Sequence, residues 1–238
     1  MELSGKTAII TGGSKGIGLG IAQAMLDQGM QVVITGRNRQ SIDEAVELLS
    51  KSGGERVSGV VSDVRHLASE ENVVIETIQK YGQVDVLIAN AGVGHFAPIE
   101  EMTTEQWNDV IDINLTGVFH SVKACVPALK KTRGYIITIA SLAGTNFFAG
   151  GAAYNASKFG LVGFTQAVML DLRNSGIKTT TIMPGSVATY FNNRIPSEKD
   201  AWKIQPEDIG QMVIDLLKLP ARTLPSKVEV RPSMPPTK

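Results

Sequence analysis

A tyrosine and a lysine stand four residues apart in the chain, at Tyr154 and Lys158. On a helix this spacing places both side chains on the same face. A free tyrosine has a pKa of about 10 and is a poor base at neutral pH. An ammonium group about 4 Å away would favour the phenolate by roughly 4 kcal/mol at an effective dielectric constant of about 20, although burial acts in the opposite direction. The pair therefore predicts a phenol that donates a proton to a developing alkoxide, or takes one from an alcohol.

A serine, Ser141, precedes Tyr154 by 13 positions and follows an apolar run that predicts a strand. Its hydroxyl could hydrogen-bond the same substrate oxygen as the phenol. A Tyr-x-x-x-Lys pattern is common by chance, and a serine at a strand end is often only a turn or capping residue. We favour the catalytic interpretation because these residues coincide with a pattern for dinucleotide binding.

That pattern is the glycine-rich segment Thr11-Gly12-Gly13-Ser14-Lys15-Gly16-Ile17-Gly18, which follows the first predicted strand and opens the first predicted helix. A phosphate can meet the unpaired N–H groups of a helix N-terminus at this position. The spacing is Gly-x-x-x-Gly-x-Gly rather than Gly-x-Gly-x-x-Gly, so the segment alone fits a plain turn as well as a phosphate site. The residues predicted to contact the dinucleotide are Gly12, Ser14, Lys15, Gly16, Ile17 and Gly18.

The end of the second predicted strand indicates which dinucleotide this site would take. An NAD site carries an acidic residue there for the ribose hydroxyls, whereas an NADP site needs space and positive charge. This chain has Gly36 and Arg37 at that position. Arg37 can clamp a 2′-phosphate with its planar guanidinium, and Lys15 adds a second charge. The sequence favours NADP(H) over NAD(H), the alternative being that both cations are solvated surface residues.

Short β-branched runs alternate with amphipathic stretches along the chain, and stripes such as Ile17, Ile21 and Met25 predict helices that pack on a sheet. The predicted strands are Thr7 to Thr11, Gln31 to Thr35, Val57 to Val61, Val84 to Ala89, Tyr135 to Ala140, Lys178 to Met183 and Lys227 to Val230. This alternation is typical of the α/β class and of one doubly wound Rossmann-type domain, with about seven parallel strands and helices on both faces. We expect a single NADP-binding catalytic domain over residues 1–230, a short substrate lid at about 190–205 and a Pro-rich tail at 231–238.

Composition argues against several classes of protein. Lys plus Arg and Asp plus Glu both total 23, so the chain has no basic field for nucleic acid or an anionic membrane. The three histidines are scattered without ligand spacing, which predicts no metal site. Cys125 lies among apolar residues of a predicted helix and is interpreted as a small buried side chain. The first residues lack a signal-like or membrane-spanning apolar stretch, so we expect a cytoplasmic protein.

The order of these residues closely resembles the short-chain dehydrogenase/reductase family, from Thr7 to about Asp208. The residues that carry the resemblance are Thr11 to Gly18, Asp63 with Val64, Asn90-Ala91-Gly92, Asn114, Ser141, Tyr154, Lys158 and Pro184-Gly185. The resemblance implies hydride transfer between a small carbonyl or alcohol substrate and a dinucleotide. Because Lys15 and Arg37 resemble the NADP-preferring branch of the family, it also implies NADP(H) as the cofactor.

The resemblance further implies a role for individual residues. Asp63 would hydrogen-bond the adenine amino group, and Asn90 would support the central strand beside the adenosine ribose. Lys158 would hold the nicotinamide ribose, and Asn114 would anchor a water in a proton relay to Tyr154. Further cofactor contacts would come from Val64, Ala91, Gly92, Pro184, Gly185, Val187 and Thr189. Similar proteins form homodimers or homotetramers, often through the helix that carries the catalytic tyrosine, where Gly160 and Gly163 would permit close approach.

Three functions remain open from the sequence. A reductase of small carbonyl compounds, or an alcohol dehydrogenase, is favoured. A 3-oxoacyl-carrier-protein reductase is the second, weakened because the chain has no glycine-rich segment after its last predicted strand. A non-catalytic NADP(H)-binding regulator is the third, and the intact set of Asn114, Ser141, Tyr154 and Lys158 argues against it.

The substrate side of the site gives little information in the sequence. The lid from Tyr190 to Gln205 mixes Arg194 and Lys199 with acidic residues, so we interpret it as a mobile lid without charge selectivity. His95 is close enough in sequence to the Asn-Ala-Gly segment to touch substrate, although a solvated loop histidine is the more common case.

Overall fold

The computed structural model describes residues 2–234, and these residues form a parallel β-sheet covered by helices. The strands are β1 (Thr7–Thr11), β2 (Gln31–Gly36), β3 (Val57–Val61), β4 (Val86–Ala89), β5 (Tyr135–Ile139), β6 (Lys178–Pro184) and β7 (Lys227–Val230). They form one sheet in the order β3-β2-β1-β4-β5-β6-β7, and every neighbouring pair is parallel. The predicted α/β class, Rossmann type and seven parallel strands are confirmed.

The strand bounds differ from the predicted ones by one or two residues. β4 begins at Val86 instead of Val84, and the Asp85 carboxylate just before it accepts hydrogen bonds from the backbone N–H of Thr7 and the ammonium of Lys6. β5 ends at Ile139, one residue earlier than predicted, and β2 and β6 each extend by one residue. The predicted bounds of β1, β3 and β7 are correct.

The helices lie on both faces of the sheet. They are α1 (Gly16–Asp27), α2 (Arg39–Gly53), α3 (Leu67–Tyr81), α4 (Thr104–Ile111), α5 (Gly117–Thr132), α6 (Ala152–Leu172) and α7 (Pro206–Lys218). Successive residues of a strand face opposite sides of a sheet. Ile10 and Ile34 therefore belong to a core with α1, α2 and α7, whereas Ile9 and Val33 belong to a second core with α3, α5 and α6.

The sheet order reverses at β1, which has β2 on one side and β4 on the other. Ligands of doubly wound sheets bind outside the carboxyl ends of the strands at such a switch point. The segments that leave those ends carry the glycine-rich loop after β1, Asn90 after β4, Ser141 after β5 and Gly185 after β6. The fold thus brings residues more than a hundred positions apart to one edge.

Several smaller predictions can be compared with this structure. Cys125 is buried in α5, as predicted, and burial raises the pKa of its thiol far above the ordinary value. The predicted lid contains two short 3₁₀ turns, Phe191–Asn193 and Glu198–Asp200. Residues 231–234 of the predicted tail have no helix or strand, and residues 235–238 lie outside the described part of the chain. Within residues 2–234, no helix is both long and apolar enough to cross a membrane, and no three His, Cys, Asp or Glu side chains are grouped to hold a metal ion.

Candidate active site

The glycine-rich loop makes a tight turn that excludes side chains. Gly12 and Gly16 have φ angles of +64° and +56°, a region that favours glycine. A Cβ atom on Gly18 would lie 2.4 Å from the carbonyl oxygen of Gly12, far inside van der Waals contact. The backbone of the loop after β1 therefore packs directly on the first turn of α1. This close approach leaves a cradle lined by backbone groups at the helix N-terminus, the geometry that suits a pyrophosphate.

Asn90 holds the end of β4 against this loop. Its side-chain amide donates hydrogen bonds to the carbonyl oxygens of Thr11, at 2.9 Å, and Gly12, at 3.0 Å. In the other direction, the backbone N–H groups of Asn90 and Ala91 donate to the Thr11 hydroxyl at 3.0 and 3.1 Å. Thr11 and Asn90 thus join the two central strands where the sheet order reverses.

Positive charge is concentrated beside the glycine-rich loop. Lys15 and Arg37 are both exposed, and neither forms an ion pair with any carboxylate of the described residues. The Asp63 carboxylate is paired instead with Arg65, whose Nε lies 3.0 Å from both oxygens. This hydrogen bond lowers the pKa of Asp63 below its ordinary value, and the nearby charge of Arg37 adds to the effect. The segments that follow β1 and β2 therefore carry two cations that are available to an anionic ligand.

Asn114 lies in a π-helical turn, Asp112–Thr116, between α4 and α5. Such turns are rare and frequently occur at functional sites. The side chain is fully buried: its oxygen accepts from the backbone N–H of Val93 at 2.8 Å, and its amide donates to the Val93 carbonyl at 2.9 Å and the Ser157 hydroxyl at 3.1 Å. Asn114 therefore fixes the loop after β4 against α6. Its predicted role as the anchor of a water stays a prediction.

Tyr154 and Lys158 lie on the first turns of α6 and on the same face, as the spacing predicted. The Lys158 ammonium is 5.7 Å from the centroid of the Tyr154 ring and donates a hydrogen bond to the Ile139 carbonyl at 3.0 Å. Lys158 is buried, and this burial lowers its pKa to about 8. A mostly charged ammonium at neutral pH thus lies between the end of β5 and the phenol ring.

The pKa of the Tyr154 phenol is shifted in the direction opposite to the predicted one. Burial raises the pKa of Tyr154 above its ordinary value, and a hydrogen bond with the Ser141 side chain lowers it by a smaller amount. The predicted net lowering of this pKa by Lys158 is wrong for this structure. Desolvation is the stronger effect because the rings of Phe96 and Phe191 pack on the Tyr154 ring, and the ammonium is directed to the Ile139 carbonyl.

The segment after β6 lies at the same edge of the sheet as the other site residues. The Gly185 N–H donates to the Val230 carbonyl at 2.8 Å, and the carbonyl oxygen of Pro184 lies 3.5 Å from the Ser141 hydroxyl. A Cβ on Gly16 would lie 3.3 Å from the Thr189 side chain, so this segment reaches the glycine-rich loop. Val187 forms a β-bridge with Ile204, which closes the base of the lid.

The comparison with known protein families agrees with this arrangement. The family model for short chain dehydrogenases matches residues 6–200, most of the chain. The protein belongs to the short-chain dehydrogenase family. An uncharacterized oxidoreductase of Staphylococcus saprophyticus is 33% identical to it over 237 residues, which cover 98% of this chain and 99% of the relative.

Two solved structures of the family are similar over nearly the whole fold. An alcohol dehydrogenase from the archaeon Thermococcus sibiricus, complexed with 5-hydroxy-NADP, superposes with a TM-score of 0.90 at 28% identity, covering 98% of this chain and 99% of that one. A metagenomic short-chain oxidoreductase in complex with NADP superposes with a TM-score of 0.86 at 32% identity, covering 99% of this chain and all of the other. These neighbours bind their cofactors on the same fold as this short-chain dehydrogenase.

Sequence reasoning missed the aromatic residues around Tyr154 in this short-chain dehydrogenase. The rings of Phe96 and Phe191 have centroids 5.4 and 5.6 Å from that of Tyr154, and Phe148 lies 5.8 Å from Phe96. We call Phe96, Phe148 and Phe191 the aromatic cluster. Phe96 and Phe148 lie in loops and Phe191 begins a short 3₁₀ turn, so no helical or strand periodicity in the sequence could bring them together.

His95, a candidate for substrate contact, has a partner within the protein. Its Nε2 lies 2.9 Å from an oxygen of Asp109, on α4. The other oxygen of the Asp109 carboxylate lies 3.9 Å from a guanidinium nitrogen of Arg65, which also pairs with Asp63. These contacts connect the loop after β4 to the cofactor side of the site, and they give His95 a structural role.

Proposed function

We propose that this protein is an NADP(H)-dependent oxidoreductase that reduces a ketone or aldehyde to an alcohol, or catalyses the reverse reaction. The observation that carries the proposal is the convergence of Tyr154, Ser141 and Lys158 at the same sheet edge as the glycine-rich loop. A phenol that is hydrogen-bonded to a serine hydroxyl and lies near a buried ammonium is suited to proton transfer at a carbonyl oxygen. Residues 1–230 would then act as one cofactor-binding catalytic domain.

The residues at the edge fit a phosphorylated dinucleotide. The turn at Gly12, Gly16 and Gly18 leaves a backbone cradle that any Cβ at Gly18 would fill. Lys15 and Arg37 lie beside it without carboxylate partners, and Gly36 places no acid where a 2′-phosphate would bind. The family neighbours solved with NADP or 5-hydroxy-NADP support the same cofactor. Further contacts would come from Ser14, Ile17, Asp63, Val64, Asn90, Ala91, Gly92, Pro184, Gly185, Val187 and Thr189.

The chain's own groups would control the proton. When bound, NADPH supplies the hydride that reduces the carbonyl carbon. Tyr154 donates its proton to the carbonyl oxygen, and its raised pKa keeps the phenol protonated at neutral pH, the form needed for reduction. Ser141 hydrogen-bonds the same oxygen and the phenol. Lys158 would hold the nicotinamide ribose, and a water anchored by Asn114 would relay a proton from solvent through Lys158 and the ribose to Tyr154.

We also propose that the protein forms a homodimer or homotetramer through α6. One side of this helix exposes Phe159 and Leu170, whose surfaces are 44% and 53% accessible, with Gly163 between them. A Cβ on Gly163 would meet nothing within 4 Å, so the helix has space there for a close neighbour. Exposed apolar stripes on a helix beside a small residue are typical of helix-mediated association.

The central test replaces Tyr154 by phenylalanine, which removes only the hydroxyl. We expect kcat for reduction of simple ketones with NADPH to fall by about 10²–10⁴-fold, while NADPH affinity and the melting temperature stay close to those of the wild type. Ser141→Ala should lower kcat as well. Substantial turnover in Tyr154→Phe would refute the acid–base role, and higher activity on a 3-oxoacyl carrier substrate than on simple ketones would assign the protein to that substrate class.

A further inference from the structure

We propose that the aromatic cluster is a substrate subsite for an aromatic or alicyclic ring carried by an uncharged carbonyl compound. The inference rests on the proposed function, because it names the class of substrate that would reach Tyr154. The residues that the chain shares with the family do not specify a ring in the substrate. The subsite follows from how three loops meet at the phenol.

The cluster is assembled from separate parts of the chain. Phe96 comes from the loop after β4, Phe148 from the loop after β5, and Phe191 from the lid. The Phe96 and Tyr154 rings pack edge to face at 65°, and the Phe191 ring lies 6.4 Å from that of Phe96. Ring centroids 4.5–7 Å apart in such orientations are the favourable arrangement of aromatic pairs. The Tyr154 ring therefore packs with the aromatic cluster, and we call these four rings the aromatic wall.

Two glycines give the rings their space. A Cβ on Gly94 would lie 2.7 Å from Phe191 and 2.9 Å from Phe96, and a Cβ on Gly151 would lie 2.5 Å from Phe148. Any side chain at these positions would displace a ring. The backbone next to the cluster is thus shaped around it.

Hydrogen bonds hold the loops that carry the rings. Asn155 is buried; its amide donates to the Ala143 carbonyl at 2.8 Å, and its oxygen accepts from the Phe148 N–H at 3.4 Å. The Ala97 N–H donates to the Gly150 carbonyl at 3.0 Å, which joins the loop of Phe96 to that of Phe148. These contacts preorganise two of the three rings before a ligand binds.

The cluster also leaves apolar surface exposed, on Phe96, which packs on the phenol, and on Phe148, which packs on Phe96. Phe96 and Phe148 are 41% and 48% exposed, although both take part in the aromatic wall. Covering such apolar surface with an apolar ligand stabilises a complex in proportion to the area buried. A flat ring placed against Phe96 and Phe148 would gain this burial while its carbonyl group meets Tyr154 and Ser141.

The charges near the cluster favour a neutral substrate. Among the residues that the structure describes, Lys158 is the only Lys or Arg over a ring of this wall, and it already donates to Ile139. The Asp109 carboxylate, near the loop after β4, is paired with His95. A substrate carboxylate desolvated against the rings would find no free cation over them, which is unfavourable. Arg194, exposed on the lid three residues after Phe191, is the cation that an anionic substrate would need to recruit.

The test compares acetophenone, 2-butanone and benzoylformate as substrates with NADPH. We expect kcat/KM for acetophenone to exceed that for 2-butanone by about tenfold or more, since a ring buries far more surface than an ethyl group. Benzoylformate, which has the same ring and a carboxylate, should be reduced less efficiently than acetophenone. A preference for 2-butanone would overturn the ring subsite, and a preference for benzoylformate would overturn the neutral class.

Variants connect the preference to the cluster. Phe96→Ala and Phe191→Ala should each lower the ratio of acetophenone to 2-butanone efficiency by about tenfold. The ratio is the readout because losing a ring beside Tyr154 also affects the phenol for both substrates. Phe147→Ala is the matched control, since Phe147 is 86% exposed and precedes Phe148 directly. An unchanged ratio in both cluster variants, or an equal change in the control, would refute the subsite.

A binding measurement separates this inference from the proposed function. Saturation-transfer NMR of acetophenone with the protein and NADP⁺ reports affinity without turnover. If acetophenone binds, and binds more weakly to Phe191→Ala, but no ketone is reduced, the subsite stands and the proposed function fails. If ketones are reduced without preference for the ring, the function stands and the subsite fails. If acetophenone neither binds nor reacts, both are wrong.

Discussion

The Lys158 ammonium donates its hydrogen bond to the carbonyl oxygen of Ile139, 3.0 Å away at the carboxyl end of β5. The contact fixes the charge in the interior between the strand and α6. Burial disfavours the charged form, so the pKa of Lys158 falls from the ordinary 10.5 to about 8. The charge next to Tyr154 is thus maintained at a cost in stability, which can be measured.

We expect the stability of the protein to depend on pH through Lys158. Between pH 8 and 10.5 the unfolded chain binds this proton more readily than the native protein, so the stability of the wild type should rise with pH in that window. Relative to Lys158→Met the gain should approach about 3 kcal/mol. Urea denaturation of both proteins across the window measures this difference, in which the contributions of titrating groups distant from Lys158 cancel.

The control for this experiment is Lys130→Met, because Lys130 is an exposed lysine on α5. The difference in the free energy of unfolding between Lys130→Met and the wild type should change little over the same pH range. A flat difference for Lys158→Met as well would show that the native pKa of Lys158 is not lowered by burial.

Arg37→Asp should discriminate between the two dinucleotides. The substitution places a carboxylate beside the expected 2′-phosphate position and removes the guanidinium, so NADPH should bind at least about 30-fold more weakly. NADH lacks this phosphate, and its affinity should change by less than about threefold or improve. Titration of the intrinsic cofactor fluorescence measures both dissociation constants.

Arg39→Asp makes the same charge change two residues further on. Arg39 is exposed at the start of α2, where its nearest carboxylate is Asp43 at 3.8 Å. Its NADPH affinity should fall much less than that of Arg37→Asp. Equal losses in the two variants, or equal losses of NADPH and NADH in Arg37→Asp, would assign the effect to general electrostatics.

Gly18→Ala tests the cofactor cradle. The new methyl group would meet the Gly12 carbonyl at 2.4 Å and the Asn90 amide at 2.7 Å, so the loop must open. We expect NADPH affinity to fall by about tenfold or more, together with a loss of about 1–3 kcal/mol of stability from overpacking. Isothermal titration calorimetry and urea denaturation give the two values.

Gly20→Ala supplies the comparison on the same helix. Its methyl group would lie 2.6 Å from the Pro206 carbonyl and would separate α1 from α7. We expect a similar loss of stability with a much smaller loss of NADPH affinity. If the two variants lose affinity equally, the effect of Gly18→Ala comes from general destabilisation rather than from the cradle.

Gly163→Arg tests the proposed assembly through α6. Because a Cβ at this position meets nothing within 4 Å, the arginine should be tolerated by the isolated chain and should disrupt contact between copies. Sedimentation velocity should show a dimer or tetramer for the wild type and a smaller species for the variant, with unchanged circular dichroism. Ala68→Arg, at an exposed position of α3, should keep the wild-type assembly. A monomeric wild type would disprove the proposal.

The sequence predicted most of the framework because hydrophobic pattern and chain order are local properties. Val57 to Val61 and Lys227 to Val230 were predicted with correct bounds, and the alternation of strands and helices indicated the parallel sheet. The glycine-rich segment identified the turn before α1 because only glycine permits that backbone. The spacing of Tyr154 and Lys158 likewise determined their shared face.

The tertiary structure decided the environment of those residues. It directed the Lys158 ammonium to Ile139 and packed two phenylalanine rings on Tyr154, so burial raises the tyrosine pKa where the isolated pair predicted a decrease. It also brought Phe96, Phe148 and Phe191 together from three aperiodic loops. Solvation and packing depend on neighbours that are distant along the chain, and spacing in the sequence carries no information about them. The sequence therefore determined which groups reach the edge of the sheet, and the folded chain determined how those groups ionise and what surrounds them.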